Sequence, residues 1–198
     1  MIHCSYIINK ILILVELYIF CTLYLHILLL QLRFKGEEMN FETADLCDDN
    51  RDKEIQVLSN EYKNYGGLKK CAGQIVTIKL DKSNWELLEM LRDENGKGKV
   101  VVVENARYFY GVVGDKLMDF AKNNNWQAII INGYVRDIAY TKDIDVALYA
   151  IGTCPLRNFD KTNSSRGDQL SFGGVTFHEG DYLYADLDGV IVSREKLI

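Results

Sequence analysis

The sequence has few of the residues that bind metal ions through sulfur or nitrogen. Its 198 residues include five cysteines with no Cys-x-x-Cys spacing and only three histidines, two of which fall within the first 38 residues. This scarcity argues against a structural zinc site. The odd number and wide dispersal of the cysteines are typical of free thiols, and therefore of a cytoplasmic protein.

Basic runs and nucleotide-binding motifs are also missing. No run of lysines and arginines is longer than two residues, and the net charge is −5 with a pI of about 5.3. A protein with this charge is not expected to bind nucleic acid directly. Neither the glycine-rich dinucleotide motif nor a Walker sequence occurs, so the glycines do not mark a nucleotide site.

Residues 1–38 differ in composition from the rest of the chain. The apolar stretch 11–32 has the length of about 20 residues that crosses a bilayer, but Glu16 lies near its middle, where a charge is costly. No small-residue cleavage site follows. The segment is either a signal anchor, which would make the membrane a partner, or it precedes a true start at Met39. The second interpretation is favoured, with a globular domain over residues 39–198.

The globular part is organised around residues 100–137. The four valines at 100–103 form an apolar run that is typical of a buried strand. After a turn, Gly114 precedes a segment with helical spacing of apolar residues, and the asparagines at 123–125 end it. A second buried strand is predicted at 128–131. The pattern is a strand–helix–strand unit.

Three functional side chains fall at the ends of this unit. Arg136 and Asp137 follow the second strand, and Asp115 lies at the start of the helix. Because such units place functional groups at the carboxyl ends of their strands, we expect the three to share a crevice. Arg136 offers a planar donor for a carboxylate, and Asp137 a ligand for a divalent cation such as Mg²⁺.

This combination suits a 2-oxo acid substrate. The metal would polarise the ketone, Arg136 would stabilise an enolate, and Asp115 would orient a water as the proton donor. Spacing alone favours a plainer interpretation, with Arg136 and Asp137 as a surface ion pair and Asp115 as a helix cap. The aromatic residues 108–110 either line the crevice or serve packing or contacts between subunits. His178 is more typical of a surface or core residue than of a ligand.

The remaining elements predict an α/β fold with extra antiparallel strands at the carboxyl end. The expected elements are a helix from residue 43 capped by Thr43 or Asp45, a charged surface helix or loop at 50–64, a strand at 72–79, a helix at 84–91 capped by Ser83 or Asn84, a strand at 144–150 ended by residues 152–155, a long loop at 157–169, and three short strands within 175–192.

The residues around the crevice resemble a known family. Gly114-Asp115, twenty intervening residues and Arg136-Asp137 are similar to the signature of class II 4-hydroxy-4-methyl-2-oxoglutarate aldolases. These enzymes belong to the RraA-like family, which also contains regulators of ribonuclease E activity. The resemblance continues through Tyr65-Gly66-Gly67, residues 172–177 and residues 180–186, and it covers residues 40–195.

This resemblance implies a swivelling β/β/α-type fold and a ring-shaped homotrimer with active sites at subunit interfaces. It also implies a divalent metal cofactor, Mg²⁺ or Mn²⁺, and an aldol cleavage that releases pyruvate, with oxaloacetate decarboxylation as a side activity through the same enolate. By position, the substrate would be contacted by Gly114, Asp115, Lys116, Leu117 and Arg136, with Asp115 and Arg136 catalytic and Asp137 as the metal ligand.

The sequence departs from the family pattern at two points. Many relatives have an acidic residue three positions after the metal aspartate, where this chain has Tyr140, and Asp143 would substitute only if the loop runs differently. Glu104-Asn105 stands where Asp-Gly is usual, which indicates a reshaped loop beside the crevice.

An alternative function within the same family is a non-catalytic regulator that binds and inhibits ribonuclease E. The sequence at Asn125-Trp126 and at residues 172–177 is similar to that branch. Regulators can lack the metal aspartate, so the presence of Asp137 favours the enzyme.

Overall fold

The computed structural model describes residues 19–24 and 40–198. The chain divides after Asn40, and residues 41–198 form one unit, while residues 19–24 form an exposed helical segment. No helix in the described ranges is long and apolar enough to span a membrane. The anchor and late-start interpretations of residues 1–38 concern mainly residues outside these ranges, and both stay predictions.

Residues 41–198 fold into a mixed α/β domain with a large sheet, a separate hairpin and four helices. In chain order its elements are α1 (Thr43–Asp49), β1 (Ile55–Val57), β2 (Lys63–Asn64), β3 (Cys71–Leu80), α2 (Trp85–Asp93), β4 (Lys99–Glu104), β5 (Gly111–Val113), α3 (Asp115–Asn123), β6 (Ala128–Val135), α4 (Ile138–Thr141), β7 (Ala147–Thr153), β8 (Ser164–Arg166), β9 (Leu170–Phe172), β10 (Val175–Phe177), β11 (Tyr182–Ala185) and β12 (Val190–Ser193).

The sheet has a parallel centre and antiparallel margins. Its strand order is β1-β12-β11-β3-β4-β6-β7-β2, with β5 paired to β6 and β8 to β3. Strands β3, β4, β6 and β7 are parallel, whereas β11, β12 and β1 run antiparallel to their neighbours. The predicted α/β class, with a central βαβ unit and antiparallel carboxyl-terminal strands, is confirmed.

The two ends of this strand order come together. Strands β1 and β2 lie at opposite ends of the sheet, yet only residues 58–62 join them. The sheet therefore curls on itself, because so short a link cannot cross a flat sheet of this width. The hydroxyl of Tyr149 in β7 donates a hydrogen bond of 3.2 Å to the carbonyl of Asp186, which follows β11.

Two helices cover one face of the parallel strands and fix the position of their carboxyl ends. Helices α2 and α3 are amphipathic, and their apolar stripes pack on alternate residues of β4 and β6. The packed residues are Leu87, Met90 and Leu91 from α2, Leu117, Met118 and Ala121 from α3, and Val101, Val103, Ile129 and Ile131 from the strands. The intervening strand residues Val100, Val102 and Ile130 are also fully buried, as expected for strands covered on both faces.

Several short elements differ from the sequence-based prediction. The segment 50–64 is not helical but contributes β1 and β2, and the predicted loop 157–169 contains β8. Strands β5 and β9 were not predicted, and β7 begins at Ala147 and continues to Thr153, past Gly152. Strands of two or three residues carry no periodicity that the sequence could reveal, since they are set by pairing with distant partners.

The amino end of α1 is capped differently from the prediction. Its N-cap residue is Glu42, which makes no side-chain cap, so the assignment of the cap to Thr43 or Asp45 was wrong. The carboxylate of Asp186 accepts the N–H of Thr43 at 2.6 Å and its hydroxyl at 2.7 Å. At α2, Asn84 is the N-cap without capping through its side chain, and the Ser83 hydroxyl oxygen accepts the N–H of Trp85 at 3.2 Å.

Candidate functional site

A small crevice of about 100 Å³ lies where β6 ends and α3 begins. Arg136 and Asp137 immediately follow the last residue of β6, and Gly114 connects β5 to α3. The residues proposed from the sequence all line this crevice: Gly114, Asp115, Lys116, Leu117, Arg136 and Asp137. The expected convergence is therefore present, although the role of each residue stays a prediction.

Arg136 and Asp137 form an ion pair that leaves part of each group available. Nε of Arg136 donates to Oδ2 of Asp137 at 2.9 Å, and the two side chains are 33% and 27% exposed. Within the described part of the chain, the second oxygen Oδ1 of Asp137 accepts no hydrogen bond, and neither terminal nitrogen of Arg136 donates one. The pair is thus more than a closed surface contact, because its free atoms remain open to a ligand.

The backbone holds this pair in a fixed place. The N–H of Arg136 donates to the carbonyl of Val113 at 2.9 Å, which ties the end of β6 to β5. Asp137 has a left-handed conformation with φ 57° and ψ 33°, which is uncommon for residues other than glycine, asparagine and aspartate. Its carbonyl accepts the N–H groups of Tyr140 and Thr141 at 2.9 and 3.1 Å, so the aspartate begins α4.

Two glycines let the chain pass close to this pair. A Cβ at Gly114 would lie 2.3 Å from Oδ2 of Asp137, and a Cβ at Gly111 would lie 2.8 Å from Cγ of Arg136. Both distances are shorter than contact between non-bonded atoms allows. The positions of β5 and the start of α3 beside the ion pair therefore require glycine at 111 and 114.

The start of α3 presents backbone donors to the crevice. Gly114 is the N-cap residue and supplies no side-chain cap, so the first N–H groups of the helix lack intrahelical partners. Oδ1 of Asp115 accepts one of them, the N–H of Lys116, at 2.6 Å, which leaves the others for a ligand. Together with the helix dipole, this end attracts a carboxylate or phosphate group.

The acidic residues fit a hydrated divalent cation better than a closed protein cage. No group of three or more His, Cys, Asp or Glu side chains suited to a metal occurs in the described ranges. Mg²⁺ commonly binds through one or two carboxylates and completes its shell with waters and substrate oxygens. Asp137, with Oδ1 open, meets that requirement. Asp143 is exposed and does not line the crevice, so it does not replace the acid missing at Tyr140.

The loop after β4, where the sequence departs from the family at Glu104-Asn105, has an unusual backbone, and its reshaping relative to the family stays a prediction. Ala106 and Arg107 both adopt φ 55°, a conformation that non-glycine residues seldom adopt in succession. The Glu104 carboxylate supports the turn by accepting the N–H of Ala106 at 2.5 Å and an amide N–H of Asn132 at 2.9 Å. Hydrogen bonds to the Glu104 side chain therefore stabilise the conformation of this loop.

The aromatic residues that follow this loop do not line the crevice. Tyr110 is buried, and Phe109 packs edge to face on Tyr134 with ring centroids 4.9 Å apart. Packing is therefore seen for Tyr110, whereas Tyr108 and Phe109 are exposed, so their role as trimer contacts stays a prediction. His178 is half-buried, and its Nδ1 lies 3.2 Å from Asp181, away from the crevice.

Two polar residues that line the crevice, Asn84 and Arg157, were not assigned to the site from the sequence. Asn84 was expected only as a helix cap, but it lines the crevice and its amide donates to the carbonyl of Val112 at 2.6 Å. Arg157 comes from the segment predicted as a long loop and also lines the crevice. No periodicity or motif marks either residue, because their position depends on how the segments after β3 and β7 fold against β5.

Comparison with known proteins agrees with this architecture. The sequence profile of the RraA-like family, described as Aldolase/RraA, matches residues 43–192. A protein of Dechloromonas aromatica named "Putative 4-hydroxy-4-methyl-2-oxoglutarate aldolase" is 37% identical over 163 residues, covering 80% of this chain and 99% of that protein.

Two solved structures have the same fold, each with a TM-score of 0.74. One is described as an S-adenosylmethionine:2-dimethylmenaquinone methyltransferase from Geobacillus kaustophilus; it is 34% identical, covering 79% of this chain and 97% of that one. The other is the RNA-processing inhibitor RraA from Thermus thermophilis, which is 26% identical, covering 79% of this chain and 94% of that one. From its profile match, its sequence identity and its fold, this chain belongs to the RraA-like family.

Proposed function

We propose that this protein is a divalent-metal-dependent aldolase that cleaves 4-hydroxy-4-methyl-2-oxoglutarate to pyruvate, with oxaloacetate decarboxylation as a secondary activity. The observation that carries the proposal is the crevice in which Arg136, Asp137 and the start of α3 meet, with Oδ1 of Asp137 and the terminal nitrogens of Arg136 unengaged. The relatives named as aldolases support the same reaction class.

The residues of the crevice divide the work between binding and charge stabilisation. Arg136 and the amino end of α3 bind the carboxylate and ketone oxygens of the 2-oxo acid. Asp137 holds the cation, Mg²⁺ or Mn²⁺, which supplies polarisation of the ketone when bound. Arg136 then stabilises the negative charge that develops on the ketone oxygen when the carbon–carbon bond breaks. Asp115 orients the water that returns a proton to carbon.

We also propose that the working form is a cytoplasmic homotrimer with this crevice at a subunit interface. Large apolar side chains next to the crevice residues are exposed: Trp85, Ile138, Tyr140, Leu156 and Phe159. Exposed apolar surface of this kind is typical of a protein interface. The four described cysteines are free thiols, as a reducing compartment maintains. Residues 39–198 are proposed as the catalytic domain.

Pyruvate release by the full-length chain tests the function. Oxaloacetate and 4-hydroxy-4-methyl-2-oxoglutarate are supplied with Mg²⁺ or with EDTA, and the free-metal rate is subtracted. We expect metal-dependent turnover that is lost in Arg136→Ala and in Asp137→Ala. The pair Arg92–Asp93 is a matched control, because it is also an adjacent arginine–aspartate ion pair, at 2.6 Å, but does not line the crevice. Turnover that survives in the two crevice variants would contradict the proposal.

A ribonuclease E-type regulator is the second candidate. It is favoured by the fold similarity to the RNA-processing inhibitor from Thermus thermophilis and by the exposed apolar side chains beside the crevice. Such a regulator would bind its partner without metal. If the full-length chain gives no turnover above free Mg²⁺ but retains a purified ribonuclease E on a column in the presence of EDTA, the regulator replaces the enzyme as the function.

A further inference from the structure

Arg157 is a second arginine in the crevice and has no acidic partner. It lines the same crevice as Arg136 but comes from a different segment, the loop that follows β7. Within the described ranges it forms no ion pair, and its guanidinium instead lies over the ring of Phe159, 4.7 Å from the centroid. An arginine without a carboxylate partner at a binding crevice keeps its full set of donors for a ligand.

The side chains that line the crevice carry a net positive charge. Three lining side chains are basic, Lys116, Arg136 and Arg157, and two are acidic, Asp115 and Asp137. Arg136 is engaged with Asp137 at 2.9 Å, whereas neither Lys116 nor Arg157 is paired with an acid in the described part of the chain. A divalent cation on Asp137 would increase this net positive charge. A substrate with two carboxylates matches this charge distribution better than one with a single carboxylate.

The loop that carries Arg157 is tied down on both sides of the arginine. The carbonyl of Leu156 accepts the N–H of Gly111 at 2.8 Å, and the Asn158 amide donates to the carbonyl of Lys82 at 2.6 Å. These bonds connect the loop to β5 and to the segment between β3 and α2, both of which border the crevice. The backbone at Arg157 is therefore held in position before any ligand arrives, which lowers the entropic cost of ordering this loop on binding.

From this geometry we propose that Arg157 binds the second carboxylate of the substrate and favours aldol cleavage over decarboxylation. This proposal rests on the proposed function. It adds the residue that binds the carboxylate remote from the 2-oxo acid end of the substrate. Arg136 and the start of α3 hold the 2-oxo acid end, so the carboxylate on the carbon beyond the scissile bond is the group left for Arg157.

The two reactions treat that carboxylate differently. In aldol cleavage the bond between C3 and C4 breaks, its electron pair enters the pyruvate enolate, the C4 hydroxyl proton passes to water, and C4 becomes the ketone of a second pyruvate. The carboxylate on C4 keeps its charge throughout. In oxaloacetate decarboxylation the same bond breaks and its pair enters the same enolate, but the carboxylate itself leaves as neutral carbon dioxide. In both reactions C3 of the enolate then takes a proton from water.

A cation bound to this carboxylate thus affects kcat differently in the two reactions. It binds the aldol substrate and its transition state equally, so it lowers KM without changing kcat. In decarboxylation it stabilises a charge that disappears in the transition state, so it lowers KM and kcat together. Loss of Arg157 should therefore weaken the binding of both substrates, leave kcat for cleavage unchanged and raise kcat for decarboxylation.

The test measures KM and kcat for both substrates with the full-length chain and Mg²⁺. We expect Arg157→Ala to raise both KM values about tenfold or more, with kcat for cleavage little changed and kcat for decarboxylation raised. Arg157→Lys keeps the positive charge but lacks the planar guanidinium, so its KM values should lie between those of the unaltered chain and those of Arg157→Ala. Arg51→Ala is the control, because Arg51 is exposed, pairs among the described residues with Asp48 alone and does not line the crevice.

The outcomes separate this proposal from the proposed function. If the unaltered chain is active and Arg157→Ala changes neither KM nor the ratio of the two kcat values, the role of Arg157 is overturned and the aldolase stands. The same holds if kcat falls for both substrates alike, since that result indicates a positioning defect. If the unaltered chain turns over neither substrate, both proposals fall. Should Arg157→Ala fail to fold, Arg157→Gln gives the same comparison with a neutral side chain of similar length.

Discussion

Gly114 and Asp137 are in such close contact that a single added methyl group would separate them. A Cβ at Gly114 would lie 2.3 Å from Oδ2 of Asp137, the oxygen that also accepts the hydrogen bond from Arg136. The backbone at Gly114 is extended, with φ −135°, so any residue could adopt it. The glycine is therefore required by space and not by conformation.

We predict that Gly114→Ala displaces the Asp137 carboxylate and reduces kcat/KM for pyruvate release by about a hundredfold, the cost of misplacing a functional group by 1 Å. Gly189→Ala is the matched control, because a Cβ there has no atom within 4 Å. Steady-state kinetics with Mg²⁺ makes the comparison. Equal activity in the two variants would show that the position of Asp137 does not matter for turnover.

Metal binding is predicted to depend on the charge of Asp137. Asparagine tolerates the left-handed conformation seen at this position, so Asp137→Asn changes the ligand and spares the backbone. We expect Mn²⁺ to bind this variant at least about a hundredfold more weakly, since removal of an outer-shell partner alone costs up to that factor. Titration followed by electron paramagnetic resonance measures the free ion. Asp143→Asn, an exposed neighbour outside the crevice, should bind as the unaltered chain does; equal affinity in both variants would exclude Asp137 as the ligand.

A third prediction concerns the long-range cap of α1. Burial of Asp186 opposes its ionisation, but hydrogen bonds from Thr43, Asp188 and Gly189 outweigh this effect and hold the pKa of the carboxyl below its usual value. Because the pKa is lower in the folded state, the stabilisation is full above the unfolded pKa of about 3.9 and is lost as the pH falls through the folded pKa.

Asp186→Asn should therefore lower the free energy of unfolding by about 2 kcal/mol at pH 7, the contribution of hydrogen bonds to a charged group. The difference from the unaltered chain should shrink as the pH drops below about 4. Urea unfolding at several pH values measures it. Asp188→Asn is the control, because the Asp188 side chain is exposed and accepts no hydrogen bond in the described ranges. A pH-independent difference would show that the ionised carboxylate is not the cause.

The division of the chain leads to a fourth prediction. The family profile begins at residue 43, and residues 41–198 form a unit of their own. A chain that starts at Met39 should therefore fold, with the thermal midpoint and pyruvate release of the full-length chain. Calorimetry and the activity assay test both properties. A chain from Met39 that aggregates or unfolds at lower temperature would show that residues 1–38 contribute to the folded domain.

The sequence predicted the centre of this fold better than its margins. The valine run at 100–103 and the helix after Gly114 were located closely because burial on both faces and helical periodicity leave strong patterns. The strand pairing of Ser164–Arg166 left none, since those residues are polar and mostly exposed and their strand exists through contact with β3. Likewise, no local rule could assign the cap of Thr43 to Asp186, 143 residues away.

The residues of the site were also predicted where they lie at the ends of regular elements and missed where they lie in irregular segments. The convergence of Asp115, Arg136 and Asp137 on one crevice was predicted because a strand end and a helix start bring fixed positions together. Arg157 was not, because it reaches the crevice from an irregular segment whose path is set by single hydrogen bonds to Gly111 and Lys82. The left-handed backbone at Ala106 and Arg107 was also outside prediction, because neither residue type favours it.

The curled sheet has a consequence for the behaviour of the protein in concentrated solution. The strands at the two ends of its order, β1 and β2, are only three and two residues long. Unpaired strand edges are templates on which other chains can add, and long flat edges are the ones that seed aggregates. Here each edge offers too few free backbone groups to hold a foreign strand, and Lys63 places a charge on one of them. The large sheet therefore ends in edges that are poor templates for fibre growth.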